Sequence, residues 1–450
     1  MGALTRLAGE GHCPTYRCHS MMNGRTLSMH GIPRWTPLSR WIPLALLLLV
    51  TLAPLVTPLT CPPLWDSPCD CRVLGITAVK AVELDCRRRN LTQVPDFSEL
   101  EGKPVYQVDL SENYIAYLQD ESFTALEFIK LPMYPYPRID ISYNPVKSIA
   151  SGAFRHIKAE EISLVMMNST LRAFPDLSKG GLVNLTFLHF MDNHLSALPE
   201  FYFKPFPKLS AINLSGNKIE YFSRTAFMGL ENTLEVLYLN DMNLSDFPSE
   251  ALQPLRRLRR LELDNNRITN LPPRLFRGFR TTTSAFSLSI QNNLINFIAE
   301  NAFHKAYFSL YDLNLNTNKL TDLAFLSDPC SLAFRGDGHI DVQGNLINCT
   351  CDVYNVIRTG YYNVHGKCRH PNRYRGISFD TSNGYIPKAY HAIAYKDCDR
   401  NQTTYSIVCT RPDPVHSNVS ASNAAQQLCA SFLLLLICKL LAGLRHPQPH

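Results

Sequence analysis

The chain of 450 residues carries 44 Lys+Arg against 38 Asp+Glu, a formal net charge of +6, with 14 Cys and 14 His. The surplus belongs to the ends: residues 1–60 and 428–450 hold seven of the basic residues and one of the acidic, so the middle carries 37 of each. A neutral middle gives no basis for binding nucleic acid through bulk charge. The absence of a G-x-S-x-G, H-E-x-x-H, P-loop or dinucleotide glycine run leaves no recognisable catalytic machinery and implies no cofactor.

Residues 1–60 read as a secretory signal with a long n-region. Trp41 to Val56 (WIPLALLLLVTLAPLV) is apolar and follows Arg34 and Arg40, the order of an n-region and an h-region. Met21, Met22 and Met29 are alternative starts, cleavage is placed between Thr57 and Cys61, and an uncleaved signal anchor is the alternative. Ten of the 14 Cys lie between residues 61 and 409, clustered at two borders. An even number in an exported segment points to disulfides rather than metal ligands. Eight Asn-x-Ser/Thr sequons, at Asn90, Asn168, Asn184, Asn213, Asn243, Asn348, Asn401 and Asn418, point to a glycosylated ectodomain.

Between the cysteine clusters the chain repeats itself. Leu209, Ile212, Leu214, Asn217 and Ile219 are followed by Leu258, Leu261, Leu263, Asn266 and Ile268 in the same spacing. This is L-x-x-L-x-L-x-x-N-x-L, the leucine-rich repeat signature. Six phenylalanines, Phe123, Phe154, Phe203, Phe227, Phe276 and Phe303, each stand ten residues after a ladder Asn. The ladder runs through Asn113, Asn144, position 167, Asn193, Asn217, position 242, Asn266, Asn293, Asn318 and Asn345, giving about ten repeats over 101–347. Met167 and Met242 take the Asn place, so those two repeats are expected to bend differently or to use Asn168 and Asn243 instead. The expected fold is an α/β solenoid, a leucine-rich repeat horseshoe with a concave parallel β-sheet, since one unit cannot bury its apolar face alone. The Phe and Leu residues are core, each Phe packing on the Phe of the next unit.

A front cap, residues 61–100, carries Cys61-x7-Cys69-x-Cys71-x14-Cys86; a rear cap, 348–410, carries Cys349-Thr-Cys351, Cys368-Arg-His-Pro371 and Lys396-Asp-Cys398. These resemble the cysteine-rich caps of extracellular leucine-rich repeat proteins, a family with Nogo-receptor-like, Slit-like, connectin-like and trophoblast-glycoprotein-like members, over about residues 61–400. The resemblance implies pairing of first with third and second with fourth Cys: Cys61 with Cys71, Cys69 with Cys86, Cys349 with Cys368 and Cys351 with Cys398. The sequence alone permits other connectivities. The front cap's first gap is wider than usual in the family, and Cys330 and Cys409 are extra; they make a fifth bridge or, alternatively, an intermolecular bond.

Residues 411–427 are a polar spacer, and 428–450 open on an apolar run, Leu428 to Leu444. Small residues, a spacer and an apolar tail describe a glycosylphosphatidylinositol signal, with attachment at Ser420, Ala421, Ser422 or Asn423. A transmembrane helix is the rival; a span needs ~20 apolar residues, and Lys439 interrupts this run.

On the concave sheet the outward positions are free to bind. Phe187, His189 and Met191 in the fourth repeat, Tyr238 in the sixth, Arg260, Glu262 and Asp264 in the seventh and Asp312 in the ninth form the candidate partner surface. Asn213 points outward from the fifth strand, so a glycan there obstructs a partner lying across repeats four to six. The functional expectation is a cell-surface glycoprotein that binds an extracellular protein ligand or counter-receptor. Its C-terminal anchor holds it on the outer side of the plasma membrane, and it signals through a transmembrane co-receptor. A secreted matrix component or soluble antagonist is the alternative, and a defence-type pattern receptor has the same architecture.

Overall fold

The computed structural model describes residues 59, 61, 68–75, 79–124, 126–276, 285–303, 310–327, 334–358, 362–381 and 387–398. They belong to one compact unit, Leu59–His450. The signal region up to residue 58, Cys330, Cys409, Asn401, Asn418, the spacer and the tail with Ser420, Ala421, Ser422 and Asn423 lie outside the described residues.

One sheet runs the length of the unit. Along its main path the strands, in both chain and spatial order, are β1 Asp70–Leu74, β2 Ala81–Asp85, β3 Pro104–Asp109, β4 Arg138–Asp140, β5 Ile162–Val165, β6 Leu185–His189, β7 Ala211–Asn213, β8 Val236–Tyr238, β9 Arg260–Glu262, β10 Phe286–Ser289, β11 Leu310–Asn314, β12 Phe334–Asp341 and β13 Asn363–His365, with two short strands, Glu127–Phe128 and Lys158–Ala159, branching off beside β3. β1 pairs antiparallel with β2, and every later neighbour is parallel. A sheet whose spatial order equals its chain order is what a stack of identical turns produces, because each turn adds one strand beside the last. Alternation inside each strand sends Leu164, Leu188, Ile212, Leu237 and Leu261 into the core, all fully buried and in register.

Each turn must then bend sharply, and the ladder residue makes that bend affordable in hydrogen bonds. Asn217 is representative: its Nδ2 donates to Leu214 O and Phe190 O at 2.8 Å each, and its Oδ1 accepts from Leu195 N at 3.0 Å. Asn113, Asn144, Asn193, Asn266, Asn293, Asn318 and Asn345 make the same bridge between their own strand end and the preceding one. Buried backbone groups that the bend strips of strand partners are thereby satisfied. The residue just before each ladder position is left-handed, from Glu112 (φ 57°) and Tyr143 (φ 57°) through Gly216 (φ 72°) to Thr317 (φ 53°).

That conformational mark corrects the ladder in the third repeat. Leu164 pairs with Ile139 and Leu188, and the left-handed residue is Asn168 (φ 46°), so Ser169, not Met167, holds the ladder position. Ser169 is buried, its Oγ has no hydrogen-bond partner, and Val146 N turns instead to Asn144 O at 2.8 Å. Met242 does hold the position in the sixth repeat, fully buried after the left-handed Asp241 (φ 57°). Asn168 and Asn243 are exposed and do not replace the ladder amide.

On the return side the phenylalanines form a broken spine. Phe97, Phe123 and Phe154 stack at 6.4 and 5.2 Å and Phe203 and Phe227 at 6.0 Å, while Phe276, Phe303 and Phe325 meet as tilted rings at 6.1 and 6.2 Å. The breaks fall at the Ser169 and Met242 repeats, so Phe packs on the Phe of the next unit everywhere except where the ladder also lapses. Among the described residues four disulfides, Cys61–Cys71, Cys69–Cys86, Cys349–Cys368 and Cys351–Cys398, staple the two ends. Helices Cys351–Arg358 and Lys388–Asp397 close the rear. No helix among the described residues is long and apolar enough to cross a membrane.

Candidate functional site

The outward side of the sheet divides into three zones along the stack. At the front the charges pair among themselves. Arg72 bonds Glu83, and Arg87 holds Asp85 at 2.6 Å with Asp109 at 3.6 Å. The Arg87 guanidinium lowers the Asp85 carboxyl to about 2.

The middle is an apolar island. Strands β5 to β8 present Val165, Phe187, His189, Val236 and Tyr238, with Met191 just beyond β6. The rings of Phe187 and His189 stack at 4.4 Å. Burial lowers the His189 imidazole to about 4, against the opposing pull of Asp140, so it is neutral at physiological pH and extends the apolar surface. Ser163 is the Cα partner of both Arg138 and Phe187, and its small side chain leaves room above it. Tyr136 reaches over to stack on Phe187 at 6.5 Å, with Lys130 Nζ 4.7 Å from its ring centre. Arg138 borders the island; unlike Arg72, Arg87 and Arg260 it forms no ion pair among the described residues, and its Nε is buried without a hydrogen-bond partner.

The rear is polar and internally satisfied. Arg260 grips Glu262 at 2.6 Å and lies 5.8 Å from the Tyr238 ring centre, while Asn240 donates to Glu262 at 3.0 Å. Asp264 accepts from Ser289 Oγ at 2.6 Å and from Gln291 N and Nε2 at 3.0 and 2.9 Å; burial nevertheless raises its carboxyl. Asp312 contacts His339 Nδ1 at 3.1 Å and accepts from Ser287 Oγ at 3.1 Å. No group of three or more His, Cys, Asp and Glu side chains among the described residues is arranged to hold a metal ion.

The eight candidate residues therefore separate. Phe187, His189, Met191 and Tyr238 come together in the island, whereas Arg260, Glu262, Asp264 and Asp312 spend their polar atoms on neighbours within the sheet. Tyr136 and Arg138 were missed. Arg138 was legible, standing six residues before Asn144 as Phe187 stands six before Asn193. Tyr136 was not, because it belongs to the Pro-rich insert rather than to a strand.

Residues 183–233 and 232–284 match the family model described as leucine rich repeat, a stretch spanning the fourth to seventh ladder positions. The fold is a leucine-rich repeat solenoid. No curated protein matches the chain. Among solved structures, a chain of the octameric complex of Latrophilin 3 (Lec, Olf), Unc5D (Ig, Ig2, TSP1) and FLRT2 (LRR) is similar at 20% identity with a TM-score of 0.47. The match covers 73% of this chain and 99% of that one.

The described sequon asparagines also differ in their surroundings. Asn90, Asn168, Asn243 and Asn348 are exposed, and Asn184 is half-buried with its Nδ2 donating to Ala159 O at 2.7 Å. Asn213 stands on the sheet itself, the Cα partner of His189 on one side and Tyr238 on the other. A shallow cleft of about 330 Å³ between the front cap and the first return segment, near Phe97 and Tyr117, lies apart from the sheet.

Proposed function

We propose that the chain is a cell-surface glycoprotein that binds an extracellular protein through the island on its sheet face. The observation that carries this reading is the contrast along the sheet. Front and rear side chains are committed to one another, whereas Tyr136, Phe187, His189, Met191 and Tyr238 present an aromatic and thioether surface with no duty in the core. Aromatic rings and methionine bordered by an arginine are the composition of interface anchors. Disulfide-stapled ends belong to an oxidising compartment and support an exported product. The signal at 1–60 and the tail at 428–450 then deliver the ectodomain to the outer face of the membrane under a glycosylphosphatidylinositol anchor. Signalling passes to a transmembrane co-receptor.

Two measurements test the reading. A multimerised ectodomain should bind a panel of living cells in a manner abolished by prior trypsin treatment of those cells, and Phe187→Ala should weaken binding by ~2 kcal/mol or more, about thirtyfold. Equal binding by wild type and Phe187→Ala would remove the island from the interface. Cells displaying the full chain should shed it on treatment with phosphatidylinositol-specific phospholipase C; retention would replace the lipid anchor with a membrane-spanning tail.

A further inference from the structure

We infer that Asn213 carries an N-linked glycan seated on the island, so that the sheet face is covered in glycosylated molecules and open in those left bare. This rests on the island being the binding surface and adds its regulation. Among the described sequons Asn213 alone lies on a strand of the main sheet, at the end of β7. Its Oδ1 accepts from Ser215 N at 3.0 Å, and the contact of its Nδ2 is the Met191 sulfur at 3.7 Å. The nitrogen that takes the sugar is thus not committed to the backbone, in contrast to Asn184. A sugar attached there starts beside Met191, between His189 and Tyr238. The pyranose ring of N-acetylglucosamine has an apolar C–H face suited to aromatic side chains, so the island offers the glycan a surface and the glycan shields the island from water.

The modification must precede folding, because Leu214 and Ser215 are buried and Ser215 Oγ accepts from Asn240 N at 3.0 Å in the finished turn. The donor is a lipid-pyrophosphate-linked oligosaccharide. Asn213 Nδ2 attacks the anomeric carbon, the C1–N bond forms as the C1–O bond to the pyrophosphate breaks, Nδ2 gives up one proton and the lipid pyrophosphate leaves. Folding then brings the glycan down beside Met191. Incomplete transfer gives two populations of one chain that differ in how much of the face a partner can reach.

The test uses the full chain made in animal cells. Glycopeptide mass spectrometry of the tryptic peptide Leu209 to Lys218 reports occupancy, and hydroxyl-radical footprinting reports exposure of Met191 and Tyr238. The expected result is an occupied Asn213, with oxidation of Met191 and Tyr238 rising severalfold in Asn213→Gln. Oxidation of Tyr221, 76% exposed and outside the sheet, should not change. Enzymatic removal of glycan from the folded wild-type protein should give the same rise, which keeps the test independent of how well Asn213→Gln folds. An unglycosylated peptide, or unchanged Met191 and Tyr238 oxidation after glycan loss, overturns the inference. Neither outcome touches the binding reading, which stands or falls on Phe187→Ala.

Discussion

Two asparagines with the same role should differ in what their loss costs, and the reason is the methionine at 242. Asn217→Leu keeps the size of the side chain and removes its polar atoms. Phe190 O survives the change, because Asn193 Nδ2 also donates to it at 3.1 Å. Leu214 O has Asn217 as its partner, and the next ladder residue is Met242, which supplies no second donor. Leu195 N loses its acceptor as well. Two buried groups are orphaned at about 1–3 kcal/mol each, a total of ~2–6 kcal/mol. In Asn318→Leu the arithmetic changes. Ile290 O retains Asn293 at 3.2 Å and Leu315 O retains Asn345 at 2.9 Å, so only Ile295 N is orphaned, at about 1–3 kcal/mol. Urea unfolding of the two variants, followed by circular dichroism, should place Asn217→Leu below Asn318→Leu by a further ~1–3 kcal/mol. Adding Met242→Asn to Asn217→Leu should recover part of the loss by returning a donor to Leu214 O. Equal destabilisation by the two substitutions, or no recovery in the double variant, would refute the shared-carbonyl account.

Backbone conformation sets a second pair of opposite effects. Gly216→Ala should destabilise, since φ is 72° and the new Cβ would lie 2.0 Å from Asp192 Oδ1. Thr317→Asn should stabilise by ~0.5–1 kcal/mol, because a β-branched residue at φ 53° gives way to one that tolerates the left-handed region; thermal midpoints moving in the same direction would contradict this. Phe203→Ala, at a fully buried point of the spine, should cost ~3–5 kcal/mol in the same urea assay. His189 titrates near 6.5 when unfolded and near 4 when folded, so across that window the unfolded chain binds a proton the folded one refuses. Its contribution is flat above the window, and stability falls as pH drops through it by up to ~3 kcal/mol. His189→Asn should lose that part of the acid sensitivity, and identical slopes of unfolding free energy against pH for variant and wild type would show the imidazole is not desolvated.

Local pattern and tertiary contact divided the determination of this protein between them. The stack itself was legible in the sequence because burying one face of a strand imposes a period of two, and repeating the strand imposes a longer period on top of it. Any residue that breaks either pattern, such as Met242, is visible by inspection. The third ladder position was not legible for the same reason. Sliding the frame by two residues, from Ser169 to Met167, leaves every inward residue inward, so alternation cannot distinguish the two. The pairing of Leu164 with Leu188 and the left-handed turn at Asn168 decide it.

The candidate surface divides likewise. Which side chains face outward followed from counting back from each ladder position, and that placed Phe187, His189 and Tyr238 together. Which of the outward groups remain uncommitted did not follow, because it depends on atoms brought together from different turns. Arg260 and Asp264 are bonded within the sheet, and Tyr136 leaves its insert to cover Phe187 from two strands away. Sequence determines the periodic backbone and the faces it creates; hydrogen bonds and ring contacts between turns are set only when the stack closes, since their partners lie some 25 residues apart and at distances that no local pattern encodes.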